Sequence, residues 1–104
     1  MRDFPTLAQY QSSASYAQIG EYQIAYWTAQ DKEAVANDAP WILLIHGFPS
    51  AAWDWHYQWQ VLRQQYQLVC LDLLGLGLSD KPHKHDYSLL EQGDIVEKLM
   101  TYLH

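Results

Sequence analysis

Two short apolar runs constrain what this chain can fold into more than any other feature: Trp41-Ile42-Leu43-Leu44-Ile45 and Leu68-Val69-Cys70-Leu71. Neither alternates with polar residues, so each predicts a strand covered on both faces, as in a parallel sheet flanked by helices. Parallel neighbours need a crossover of roughly a dozen residues or more, and residues 46–67 are long enough to supply it. A βαβ unit follows. The crossover itself carries two patterns. Trp53, Trp55, Tyr57, Trp59 and Val61 alternate with polar residues as a strand would, whereas Trp55, Trp59, Leu62 and Tyr66 recur at helical spacing. Helix is preferred, because parallel neighbours require one there and Arg63, Gln64 and Gln65 are good helix formers.

Upstream, residues 16–19 and 22–27 are aromatic or β-branched and flank Gly20-Glu21, which predicts a hairpin. Residues 1–15 show no period and predict a loose N-terminal arm. Residues 28–40 are polar and end in Pro40, as a solvated connection would. Downstream, residues 72–82 are rich in turn formers and lead through the polar segment 83–86, so a long loop is expected. Ser88 with Glu91 has the form of a capping box. The helix it opens carries Ile95, Val96, Leu99, Met100 and Leu103 on one face, with Gly93 as its weak point.

Composition narrows the function. With 49% hydrophobic residues the chain is not of the disordered class. A formal net charge of -6 gives little support to a nucleic-acid surface. No apolar run approaches the roughly 20 residues of a membrane span, and the first residues lack the pattern of a secretory signal, so a cytoplasmic setting is expected. The one cysteine, Cys70, has no partner for an internal disulfide and sits in an apolar strand, where it reads as a small core residue.

Chemistry is expected where the first apolar strand ends, because open α/β sheets bind ligands at the carboxyl ends of their strands. His46-Gly47-Phe48-Pro49 stands there. Gly47 would let the backbone turn sharply, Pro49 lacks an N–H, and Phe48 keeps one that could point into a cleft. Taken alone, the motif reads first as a tight loop with His46 as a hydrogen-bonded structural residue. Asp72, at the end of the second apolar strand, is expected to accept from loop backbone N–H groups. His83, His85 and Asp86 lack a further ligand set and read as a solvated loop instead of a metal site. Gly75-Leu76-Gly77 lacks a third small residue and a prompt helix, so it is a poor dinucleotide fingerprint. The four aromatics at 53, 55, 57 and 59 read mainly as a helix packing on a sheet.

The order of these parts resembles the first half of an α/β-hydrolase. The apolar strand, His46-Gly47-Phe48-Pro49, an aromatic helix, and then Asp72 with Gly75-Leu76-Gly77-Leu78-Ser79-Asp80-Lys81-Pro82 are most similar to the epoxide hydrolase and haloalkane dehalogenase branch. Within that branch the wording, together with Tyr87-Ser88, is similar to the mesoderm-specific transcript proteins. The resemblance implies the N-terminal portion of an α/β-hydrolase fold: four strands, as a hairpin plus a parallel βαβ unit, with two helices. It implies that the backbone N–H of Phe48 is an oxyanion-hole donor, supported by His46, Gly47 and Pro49. His46 is then a support and not the catalytic base. Phenylalanine at position 48 speaks for epoxide hydrolysis over dehalogenation, where asparagine is common. No cofactor or metal is implied, and the partner of the full-length protein would be a small hydrophobic substrate.

The departures are as informative. The nucleophile elbow, the acid and the histidine that the family supplies later are absent from residues 16–104, which therefore read as an incomplete hydrolase domain lacking its fifth strand onward. Gly77-Leu78-Ser79 imitates half of Gly-x-Ser-x-Gly, but Lys81 replaces the last glycine and Pro82 blocks a helix, so Ser79 is not the nucleophile. The chain alone is expected to be inactive, with hydrolysis of an epoxide or ester as the family reaction. The alternative is a non-catalytic truncated or binding module with the same half-fold.

Overall fold

The computed structural model describes residues 6–47, 50–83 and 85–103. The hairpin forms as β1 (Ser15–Ile19) and β2 (Tyr22–Ala29), antiparallel, with Ala17 opposite Ile24. It turns at Gly20, whose φ of +62° is easily reached only without a Cβ. β3 (Trp41–Ile45) and β4 (Gln67–Leu71) are the two apolar runs, and they pair in parallel with Ile42 opposite Leu68 and Leu44 opposite Cys70. β4 also pairs antiparallel with β2, placing Trp27 opposite Cys70. The sheet order is therefore β1-β2-β4-β3.

Period-2 alternation distributes the core. From β2 and β4, Ala25, Trp27, Ala29, Leu68 and Cys70 face one side, while Ile24 and Leu71 face the other. The first layer is closed by Tyr10, Leu44, Ala52 and Trp59. Ala17, Ile19, Leu74, Ile95 and Leu99 close the second.

β4 is buried along its whole length, as a strand covered on both faces should be. β3 is not. Among the described residues it pairs with β4 alone, and Trp41 and Ile45 are 39% and 45% exposed. These two share a face with Leu43, and α4 (Leu89–Leu103), the helix on that side, packs chiefly against β1 and leaves them partly uncovered. The apolarity of β3 thus exceeds what this chain covers.

The crossover resolves as a helix. A 3-10 turn over Ala52–Trp55 leads into α3 (His56–Leu62). Trp59 is fully buried while Tyr57 and Val61 are exposed, a split that a strand carrying all three on one face could not make. The expected solvated connection is partly structured: Thr28 and Ala29 belong to β2, opposite Val69 and Leu68, and α2 (Lys32–Ala36) follows. The side chain of Asp31, just ahead of α2, accepts from Arg63 Nε at 3.0 Å.

The expectation of a loose arm over residues 1–15 fails where the structure describes it. α1 (Leu7–Ser12) is capped by Thr6, whose hydroxyl accepts the Gln9 N–H at 3.2 Å. Its Tyr10 is buried and stacks on Trp27 with ring centroids 4.7 Å apart. A single inward side chain leaves no period in the sequence. Two helices were expected; α1 and α2 add two short ones among the described residues. At α4, the Ser88 hydroxyl accepts the Glu91 N–H at 3.1 Å, but the Glu91 carboxylate turns to His85 at 2.6 Å, so half of the capping box forms. Among the described residues no helix is long and apolar enough to cross a membrane.

Candidate functional site

The segment 46–52 leaves the carboxyl end of β3 and is gripped at both ends by β4's exit. His46 is 4% exposed. Its Nε2 accepts the Leu73 N–H at 3.0 Å, and its Nδ1 lies 2.7 Å from the Gly47 carbonyl oxygen. Because Nε2 must offer a lone pair, the hydrogen-bond pattern assigns the proton to Nδ1, which donates to Gly47. Both ring nitrogens are committed, so His46 joins two backbone segments and has no lone pair left for a base. The Gly47 carbonyl also accepts from Ser50 N–H at 3.2 Å and Ser50 Oγ at 3.0 Å. The φ of Gly47 is not positive, and a Cβ there would meet nothing within 4 Å. Phe48 and Pro49, the expected donor and its neighbour, lie outside the described residues.

Asp72 holds the other end. It is fully buried; one carboxylate oxygen accepts the Ala52 N–H at 2.7 Å, and the other accepts the Leu78 N–H at 2.7 Å and the Tyr10 hydroxyl. Burial, and then the adjacent Asp72 carboxylate, pushes the Tyr10 phenol well above its ordinary range, so it remains a donor. The sequence predicted that Asp72 would gather backbone N–H groups. It carried no sign of Tyr10, which lies 62 positions away.

The Gly-x-Gly-x-Ser loop is committed to structure throughout. Gly77 has φ +56°, and a Cβ on it would sit 2.1 Å from an Asp72 carboxylate oxygen. Gly75 has φ +89° and lies under the Tyr87 ring. The buried Ser79 hydroxyl donates to the Asp72 carbonyl at 2.6 Å and accepts the Ala25 N–H at 2.9 Å, leaving it no freedom to attack a substrate. The Asp80 carboxylate accepts the Gln23 N–H at 2.7 Å, and Lys81 donates to the Ser79 carbonyl at 3.1 Å. From α4, Gln92 donates to the Leu74 carbonyl at 2.9 Å and accepts the Leu74 N–H at 3.2 Å, a clamp the sequence did not announce.

Other candidates are likewise occupied. His85 pairs with Glu91 and meets the Tyr22 and Tyr87 rings edge-on, at 5.8 and 4.9 Å. Among the described residues no three His, Cys, Asp or Glu side chains are grouped to hold a metal. Cys70 is buried, which raises its thiol well above the ordinary range and keeps it protonated. Beside the 46–52 segment, the indole N–H groups of Trp53 and Trp55 are buried without a hydrogen-bond partner among the described residues.

Comparisons with known proteins agree with this geometry. The family model described as alpha/beta hydrolase fold matches residues 40–104. The human mesoderm-specific transcript homolog protein is 37% identical over 100 residues, which is 95% of this chain and 29% of that protein. Human epoxide hydrolase 4 is 43% identical over 51 residues, 48% of this chain and 14% of its own length. Among solved structures, a membrane phospholipase A described as a bacterial virulence factor superposes with a TM-score of 0.76 at 30% identity, over 88% of this chain and 28% of that one. The chain thus spans less than a third of the length of these relatives. Its sheet order, the loop gripped at β3's end and these matches together place it in one family: the chain belongs to the α/β-hydrolase fold family.

Proposed function

We propose that this segment supplies the oxyanion-hole loop of a hydrolase acting through a covalent intermediate, with the Phe48 backbone N–H as the donor. One observation carries the reading: segment 46–52 is held at both ends, by Leu73 N–H on His46 and by Asp72 on Ala52 N–H, while the space a Gly47 Cβ would enter stays open. A backbone donor presented by a segment whose ends are held would stabilise charge developing on a substrate oxygen, an effect worth on the order of 2.7–4 kcal/mol of barrier. The relatives named as epoxide hydrolases, with phenylalanine at position 48, favour an epoxide as substrate; an ester fits if the nucleophile is serine. Nucleophile, acid and histidine base would then come from outside these residues.

A second reading, that the chain by itself is non-catalytic, is favoured by how its reactive groups are used. Ser79 is locked, Cys70 is buried and protonated, and His46 has both nitrogens engaged. The test is an assay of the purified chain on an epoxide and an aryl ester. No turnover above buffer is expected. A measurable rate would mean that a nucleophile among these residues has been overlooked.

A further inference from the structure

Among the described residues three donors hold the Asp72 carboxylate in place, and one of them comes from a distant part of the chain. Ala52 N–H belongs to the crossover and Leu78 N–H to the glycine loop, both neighbours of the site. The third is the Tyr10 hydroxyl from α1. We propose that Tyr10 is a positioning residue for segment 46–52, acting through Asp72. Leu78 N–H and the Tyr10 hydroxyl share one carboxylate oxygen and together set the orientation of the group. The other oxygen is thereby aimed at Ala52 N–H, which anchors the far end of the segment whose near end is fixed at His46. A buried carboxylate that loses one of its donors is poorly solvated and turns to recover a partner, so the loss reaches Ala52 through the carboxylate they share.

The Tyr10 ring does not depend on its hydroxyl for its place. It stacks on Trp27 at an interplanar angle of 18°, and the Tyr10 carbonyl accepts the Trp27 indole N–H at 3.1 Å. Tyr10→Phe therefore removes the donor and leaves the helix docked. The catalytic meaning of the brace rests on the oxyanion reading of Phe48; the brace itself does not.

Amide hydrogen exchange on the purified chain separates the two. In Tyr10→Phe, the Ala52 and Leu78 amides should exchange at least tenfold faster, with the Val69 amide in β4 changed far less. Equal acceleration of all three, or none at Ala52, would overturn the brace, since a purely structural loss acts on the whole fold. Should Tyr10→Phe fail to fold, the wild-type chain decides. Its Tyr10 hydroxyl proton should give a slowly exchanging resonance with a cross-relaxation peak to the Leu78 amide, and absence of that peak overturns the proposal. Where a longer hydrolase chain carrying this segment turns over an epoxide such as styrene oxide, Tyr10→Phe should lower kcat about tenfold at unchanged KM. A change in KM alone overturns the positioning role, whereas absence of turnover beside a positive exchange result counts against the proposed hydrolysis only.

Discussion

At the scale of single residues, the site's shape depends on where a Cβ is forbidden. Gly77 and Gly20 have nearly the same backbone, φ +56° and +62°, but different surroundings. A side chain at Gly20 meets nothing within 4 Å, while one at Gly77 meets the Asp72 carboxylate at 2.1 Å. Gly20→Ala should therefore lose only the left-handed penalty, about 1–2 kcal/mol. Gly77→Ala adds the displacement of a buried carboxylate that organises Tyr10, Ala52 and Leu78, and should cost at least about 2 kcal/mol more. Urea denaturation of the two variants measures the difference, and equal losses would show that Asp72 moves aside freely. The same contrast explains what sequence could reveal. Asp72 was legible because an acid after an apolar strand and before glycines has few other uses. Tyr10 was not, because a lone aromatic among polar residues looks like any exposed tyrosine until the fold brings it to Trp27.

At the scale of elements, packing outranks local pattern. The crossover's alternating aromatics fit a strand on period alone, and the demand for a parallel connection, with the helix formers at 63–65, favoured helix. The structure confirms that choice through the exposure of Tyr57 and Val61 beside the buried Trp59. β3 and β4 looked equivalent in sequence, yet one is central and the other an edge, because neighbours and not composition decide coverage. α4 is a helix by its apolar stripe, despite Gly93 in its interior. That glycine has no positive φ, and a Cβ there meets nothing within 4 Å. Its conformational freedom in the unfolded chain is thus pure loss on folding. Gly93→Ala should raise stability by about 0.5–1 kcal/mol, seen as a higher urea midpoint with an unchanged slope. A destabilised variant would mean that α4 bends at this point or meets a neighbour there.

At the scale of the whole molecule, one core layer contains groups that become liabilities in alkali. Tyr10 comes from the first helix and Cys70 from the central strand; both lie on the same face of the sheet and both are held protonated by burial. Once unfolded they regain ordinary values near 10.0 and 9.0. Above pH 9 the unfolded chain has released the Cys70 proton while the folded chain retains it, and above pH 10 the same holds for Tyr10. The unfolded state then binds fewer protons, so stability falls as pH rises, by up to about 1.4 kcal/mol per pH unit for each group. Below pH 9 neither group contributes a slope. Tyr22 shifts in the same direction, so the Tyr10 share is read as a difference between proteins. Urea midpoints taken from pH 8 to 11 should decline from about pH 9 in the wild type. Cys70→Ala should delay the onset to about pH 10, and Tyr10→Phe should flatten the decline above it. A wild-type midpoint that stays level to pH 11 would mean that both groups ionise in place, which the buried Asp72 carboxylate beside Tyr10 opposes.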